Sequence, residues 1–402
     1  MTAPAEREAT PRAPIVVTIA LIMGAVAVAQ AFGRFTWGLV LPSARDDLLG
    51  ESNTVAGFFG TLNVTAYLIG TLLVAWAASR VSLIGLMRIG LVVSTSALAL
   101  AAFAPSGVVL GIALFAMGVG GAIIWIPAPA IAARTLPPER VGQAVGTIGS
   151  GIGLGIVVAG QLSNRLAADP VSGGDTALWQ RVYRIEMVIA LLVTLAAFAF
   201  LRSAGDRPSG GGGGFGGFGA LRQVRGWVPL TIAYASFGFA YILVIAFVVA
   251  RLEDDAGFSS NEAAAMFSII GLATMVGGVT LGPLSDRIGR RITLTITFAL
   301  FAACTLLLLT GSQPWVAIAA FGAGAMFSSV PSLITAHVVD NTTADTYGPA
   351  FSAATLTFGT TQMISPQIGG AIADLAGSFT PVFILSAAVS CIGALASSRL
   401  PD

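Results

Sequence analysis

Lysine is absent from this chain of 402 residues; all 20 of its basic side chains are arginine. That absence excludes a G-x-x-x-x-G-K-[ST] phosphate loop, and with it a Schiff-base or other catalytic Lys. An ATP-driven pump would need a partner subunit. Charge of either sign is scarce: charged residues make up 10% of the chain, against roughly 25% in soluble globular proteins. The formal net charge is +1, which gives no field for nucleic acid. There is one histidine, His337, and there are two cysteines, Cys304 and Cys391, too few for a His/Cys metal cluster. Both cysteines lie in apolar stretches and read as small buried hydrophobes, with nothing in favour of a disulfide. No metal or cofactor is expected.

Apolar sequence dominates instead. Hydrophobic residues reach 55% and the mean hydropathy is +0.88. A bilayer-spanning helix needs about 20 apolar residues. Uncharged runs cover 13–33, 52–79, 89–133, 141–164, 187–201, 226–250, 263–285, 292–339, 346–373 and 375–398. Two runs are long enough for two helices each, broken at Pro105-Ser106-Gly107 and at Gly311-Ser312-Gln313-Pro314, where such clusters mark turns. The short run extends to Tyr183–Leu201 with Arg184 and Glu186 at its rim. The sum is twelve transmembrane helices.

Arginine sets the expected orientation. With the N-terminus in the cytoplasm, inside segments hold 14 arginines and outside segments 5. Ala25-Val26-Ala27 resembles a signal-peptidase site, but acids precede it and cleavage would leave eleven spans. The expectation is a multi-pass protein of the bacterial inner membrane with both termini inside. Residues 1–13 form a tail, 14–202 a six-helix bundle, 203–225 a linker, 226–399 a second six-helix bundle and 400–402 a tail. The linker holds five consecutive glycines, Gly210–Gly214. It cannot bury enough apolar area to fold and reads as a flexible tether.

The halves echo one another. Asp46-Asp47 and Asp254-Asp255 open similar segments, Asn53 and Asn261 keep the same offset, and Arg80 corresponds to Arg287. Two related bundles place a solute site between them near the midplane, with access alternating as they rock.

Gly282-Pro283-Leu284-Ser285-Asp286-Arg287-Ile288-Gly289-Arg290-Arg291 follows the eighth span. Gly282 would allow close helix packing, Asp286 would hydrogen-bond N–H groups at a neighbouring helix start, and Gly289 would make the turn. The run resembles the inner-loop signature of the major facilitator superfamily, G-x-x-x-D-R-x-G-R-[RK]. The resemblance implies an all-α fold of two pseudo-symmetric six-helix bundles, secondary transport, and a latching role for Gly282, Asp286, Arg287, Gly289, Arg290 and Arg291. The first-half copy has Ser79 and Ser82 where the acid and second glycine would stand. The latch is therefore expected to be lopsided, with Asp286 and Arg287 working against Arg140 and Gly142, and Arg80 against Asp345. Gly33-Arg34-Phe35-Thr36-Trp37-Gly38, Asn63 to Gly70, Gly149 to Gly155 and Phe237-Gly238-Phe239-Ala240-Tyr241 are similar to the YbfB/YjiJ branch. They point to a branch and name no substrate.

Arg34 is the one charge squarely inside a span. An Arg at that depth costs about 2.5–3.5 kcal/mol on insertion scales, so something must compensate. Two readings stand: a guanidinium gripping an anion in a cavity, or one satisfied by helix carbonyls. Organophosphate antiporters of the superfamily have a similar helix-one Arg the same distance before a Pro, here Pro42, and a second Arg in helix seven. This chain has Ala240-Tyr241 there. A single cation suits a monoanion such as a carboxylate. Trp37, Asn63, Tyr67, Trp125, Tyr234, Tyr241 and Gln362 are the candidate companions, each of which also fits ordinary packing. No Asp or Glu lies away from the span ends, so three coupling routes are open. The solute carries the proton, anions exchange, or a rim acid such as Glu186 takes protons.

The sequence thus predicts a non-enzyme: a monomeric carrier moving a small organic, anionic solute through the lipid bilayer, with protons as a candidate coupling ion and no nucleic-acid partner. The alternative is a proton-coupled exporter of amphiphilic drugs.

Overall fold

The computed structural model describes residues 15–135, 141–169, 176–201 and 217–401; for 133–135, 141–146, 278–279 and 344 it describes the backbone alone. The expected N-terminal tail, the Gly210–Gly214 run and the proposed latch partner Arg140 lie outside what is described, and of Gly142 only the backbone is described. Twelve long helices make up the described residues: α1 Ile15–Leu48, α2 Asn53–Ala77, α3 Leu83–Ala102, α4 Gly107–Ala132, α5 Val141–Ala168, α6 Leu178–Phe200, α7 Trp227–Asp255, α8 Ser260–Ile288, α9 Arg290–Thr310, α10 Gln313–Asp340, α11 Ala344–Ala376 and α12 Thr380–Ser397.

Local chemistry fixes the helix ends. Ser52, Ser82 and Ser106 adopt extended conformations, and each side chain accepts a bond from a backbone N–H three residues on, the N-cap geometry that satisfies an orphan donor. Ser259 and Glu262 form a capping box at α8. Gly289, at φ +93°, takes the chain from α8 into α9, a conformation that favours glycine. Helix α6 begins at Leu178, five residues before the expected Tyr183. Arg181 and Arg184 make this earlier start tolerable by donating to carbonyls of Leu166, Asp169 and Ala102.

The side-chain distribution is that of a protein dissolved in lipid. Leu72, Val108, Leu192, Leu195, Ile318 and Leu395 all stand exposed, a surface that water would not tolerate but hydrocarbon does. Helices α2, α3, α4 and α6 pack together in the first half, and α7, α9, α11 and α12 in the second. Contact between halves follows a two-fold pattern. Helix α2 packs on α11, α5 packs on α8, and α1 meets α7. The duplicated segments of the sequence thereby occupy equivalent places.

The expected tether is ordered at its C-terminal end. Residues 217–221 include a single-turn helix, Phe218–Leu221, packed on α11. Leu221 and Val224, three apart, are buried, and the Arg225 carbonyl lies 3.2 Å from His337 Nε2. The apolar pair anchors this end of the segment. Leu400, expected in a terminal tail, is also buried.

Candidate functional site

The backbone of α1 departs from an α-helix at Ala27–Phe35, a nine-residue π-helical stretch that ends where the Thr36 N–H reaches the Ala31 carbonyl. Wide turns of this kind are rare and recur at functional sites. An amide from α2 braces the end of this stretch. Asn63 Nδ2 donates to the carbonyls of Gly33 (2.9 Å) and Leu114 (2.8 Å). One side chain thereby ties α1, α2 and α4 together directly beside Arg34.

Arg34 lies between the two halves and is only partly buried. Its guanidinium carbon stands 5.0 Å from the Tyr67 ring centroid and 5.6 Å from that of Phe35, within cation–π range. Nη2 donates to the Tyr241 hydroxyl at 3.5 Å, while Nε is buried without a partner. Among the described residues no carboxylate pairs with it.

An aromatic wall faces the guanidinium from the second half. Tyr241 stacks on Phe237 (4.8 Å) and Phe358 (5.9 Å) and meets Phe327 at 5.0 Å. Tyr234 stacks on Phe358 at 4.6 Å, and Phe35 from α1 meets Phe327 edge-on at 5.5 Å. Phe35, Phe327 and Phe358 were not singled out in the sequence because 23 phenylalanines hide the few that converge.

The structure brings together Arg34, Tyr67, Tyr234 and Tyr241. Trp37, Asn63 and Trp125 have other neighbours. Trp37 donates Nε1 to the Ala56 carbonyl at 3.2 Å and packs on Phe59, away from Arg34. Asn63 is buried behind the site with its amide hydrogens committed as above. Trp125 is partly buried at a break in α4, packed on the apolar core. Gln362 on α11 is buried, with Nε2 unpartnered.

Glu186 is not a rim residue. It is the ninth residue of α6, about 12 Å along the helix, and has 0% exposure. Oε1 accepts from the Thr36 hydroxyl at 2.7 Å and Oε2 has no partner.

The two ends of the molecule differ. At the Arg45 end, polar contacts clasp the halves together. Arg45 of α1 forms a forked pair with Asp254 of α7 and also reaches Asp46 and Asn53. Asp374 of α11 accepts from the backbone N–H groups of Asn53 (2.9 Å) and Thr54 (2.8 Å) and from Ser52 Oγ, placing a carboxylate at the N-terminus of α2. Asn164 of α5 donates to the Asn261 carbonyl of α8 at 2.6 Å. Backbones also meet closely there, since a Cβ on Gly38 would run into the Ile245 carbonyl.

At the opposite end the motif residues turn to one another. Asp286 pairs with Arg290 at 2.6 Å rather than with the start of a neighbouring helix, and Arg290 also reaches Asp340 at 3.0 Å and Ser285. Those ion pairs stay inside the second half. Gly282 has open space where a Cβ would stand, so close packing is not its role in this conformation. Arg287 is exposed. Arg80 lies 4.4 Å from the Trp76 ring and donates to the Trp76 carbonyl, in place of the expected pairing with Asp345. The guanidinium finds both partners within its own helix turn, without reaching across.

Three solved structures share this architecture. A bacterial homolog of the human lysosomal transporter Spinster, in an inward-facing and unoccupied conformation, superposes with a TM-score of 0.69 at 16% identity, covering 95% of this chain and 94% of that one. Its inward-facing, occupied form gives 0.69 at 15% identity, covering 96% and 94%. A D-xylose–proton symporter gives 0.75 at 13% identity, covering 96% and 98%. At these identities the likeness is one of fold. The signature of a family described as "Uncharacterised MFS-type transporter YbfB" matches residues 26–398. With twelve helices in two like halves, the chain belongs to that family: it is a multi-pass secondary transporter of the major facilitator superfamily, not an enzyme.

Proposed function

We propose that this carrier moves a small organic monoanion of the carboxylate type, held by Arg34 in the aromatic cleft between the halves. The observation that carries the reading is a partly exposed guanidinium, deep in the bundle, with two ring faces and one long hydroxyl bond as its company and no carboxylate among the described residues. An unpaired charge at that depth is costly, and an anionic solute offsets the cost. One guanidinium matches one carboxylate in fork geometry. The Tyr241–Phe358–Tyr234 wall favours a flat apolar remainder on the solute.

The excess of arginine on loops at the motif end favours that end as cytoplasmic, with both termini inside and the bacterial inner membrane as its place. The clasp then seals the outside, and the conformation is inward-facing. Alternating access requires that the Arg45–Asp254 clasp open while the motif end closes. The carrier works as a monomer.

The aromatic wall also favours a second reading, the export of amphiphilic drugs, since stacked rings attract cations. Arg34 separates the two. Radiolabelled organic acids are offered to proteoliposomes containing wild type or Arg34→Gln, with and without a pH gradient. Uptake by wild type that is lost in Arg34→Gln supports the anion reading. Uptake that is indifferent to the substitution removes it.

A further inference from the structure

Glu186 takes no part in the cleft, yet it is the most completely buried acid among the described residues. Arg34 and Thr36 are two positions apart on α1, so their side chains leave opposite faces of the helix. Arg34 faces α2 and α7 through Tyr67 and Tyr241, and Thr36 faces α6 through Glu186. Thr36 is also the residue at which the π-helical stretch closes. A hydrogen bond at Thr36 therefore acts on the backbone that aims Arg34.

The surroundings suit a neutral carboxyl. One oxygen meets a hydroxyl and the other meets no donor, whereas a buried carboxylate needs several donors or a cation. On its own helix the titratable neighbour is Tyr183, whose hydroxyl is buried without a partner. Arg181 and Arg184 turn to backbone carbonyls at the helix start. From α1 the charged groups are Arg34, on the far face, and Arg45, Asp46 and Asp47 at the clasp end. From α3 it is Arg88, which caps α6 at Phe198 and Leu201. From α5 they are Arg165 and Asp169, both exposed at that helix's end. None of these pairs with Glu186.

The α1–α6 seam also extends from Glu186 to the clasp end. Trp179, Tyr183 and Glu186 lie on one face of α6 at i, i+4 and i+7. Trp179 Nε1 donates to exposed Asp47 at 2.8 Å and its N–H to Ser43 Oγ at 3.3 Å. The column runs from an exposed acid at the clasp end, past the Tyr183 hydroxyl, to Glu186.

Resting on the reading of Arg34 as the anion site, we propose that Glu186 is the site at which a coupling proton binds, and that Thr36 transmits its protonation to Arg34. The step is a simple protonation: the Glu186 carboxylate gains one proton and becomes the neutral acid sealed here. Solute affinity then depends on pH because the two sites share one helix.

Two measurements on the full chain test this. Infrared titration of reconstituted protein reads the C=O stretch of a protonated carboxyl. Wild type and Arg34→Gln should show a titrating band that is lost in Glu186→Gln and shifted in Thr36→Val. Benzoate affinity, measured above the range where benzoate itself titrates, should vary with pH in wild type by at most about tenfold per unit for one linked proton. That dependence should vanish in Glu186→Gln and persist in Glu186→Asp. A spectrum unchanged by Glu186→Gln, or the same pH dependence in that variant, overturns the proposal. Failure of Arg34→Gln to weaken benzoate binding would overturn the anion reading instead and leave the infrared result to decide on Glu186.

Discussion

Arg45 on α1 and Asp254 on α7 form a forked ion pair that joins the two halves of the molecule. Arg45 precedes Asp46, whose counterpart in the duplicated segment is Asp254, so the clasp links neighbouring positions of the two copies. Its side chain is 9% exposed, which limits screening by salt. Asp254→Asn should weaken the closed state by about 1.5–3 kcal/mol, the usual value of hydrogen bonds to a charged group. The expected result is at least tenfold faster labelling of a cysteine placed at Thr54, with little change at the motif end.

Asp374 acts on the same end by another means. It caps α2 from the opposite half, so Asp374→Ala removes a helix cap and an interdomain contact together. The expected cost is about 1–2 kcal/mol, read as a lower melting temperature and as faster labelling at the same cysteine. Asp374→Asn should recover part of both effects because the amide oxygen still accepts.

Gly38 makes a sharper test of conformation. Its missing Cβ lets α1 lie against the Ile245 carbonyl of α7. Gly38→Val should be excluded from the closed arrangement and hold the clasp end open, which spin-label distances between the exposed Glu51 and Leu375 positions would record. Distances equal to those of wild type would show that this approach is not specific to the closed state.

Asn63 supports the site without touching solute. Asn63→Leu removes a side-chain donor from two helix carbonyls, at a cost of about 0.5–1.5 kcal/mol for each bond. Thermal unfolding should detect that loss. Solute affinity should fall with it, because the Gly33 carbonyl adjoins Arg34.

Much of this fold could be read directly. Apolar runs of the right length, Pro105 to Gly107, and Gly311 to Pro314 fall where helices and turns are. Arg34 stands out because charge is expensive in hydrocarbon. Other features depend on three-dimensional neighbours. The depth of Glu186 follows from the early start of α6, which Arg181 and Arg184 permit by finding carbonyls on other helices. The π-helical geometry of Ala27–Phe35 depends on backbone spacing that the residue pattern does not specify. Asp254 is legible as a loop acid of the repeat, but its pairing with Arg45 needed the halves in contact. The motif residues pair locally here because the end that they serve is not the one that is clasped.

The account turns on what Arg34 holds. Equilibrium binding of radiolabelled benzoate to purified wild type, Arg34→Lys and Arg34→Gln tests it most directly. Saturable binding by wild type, weakened in Arg34→Lys and abolished in Arg34→Gln, with all three proteins melting alike, is the predicted outcome. Equal affinity in wild type and Arg34→Gln would contradict it.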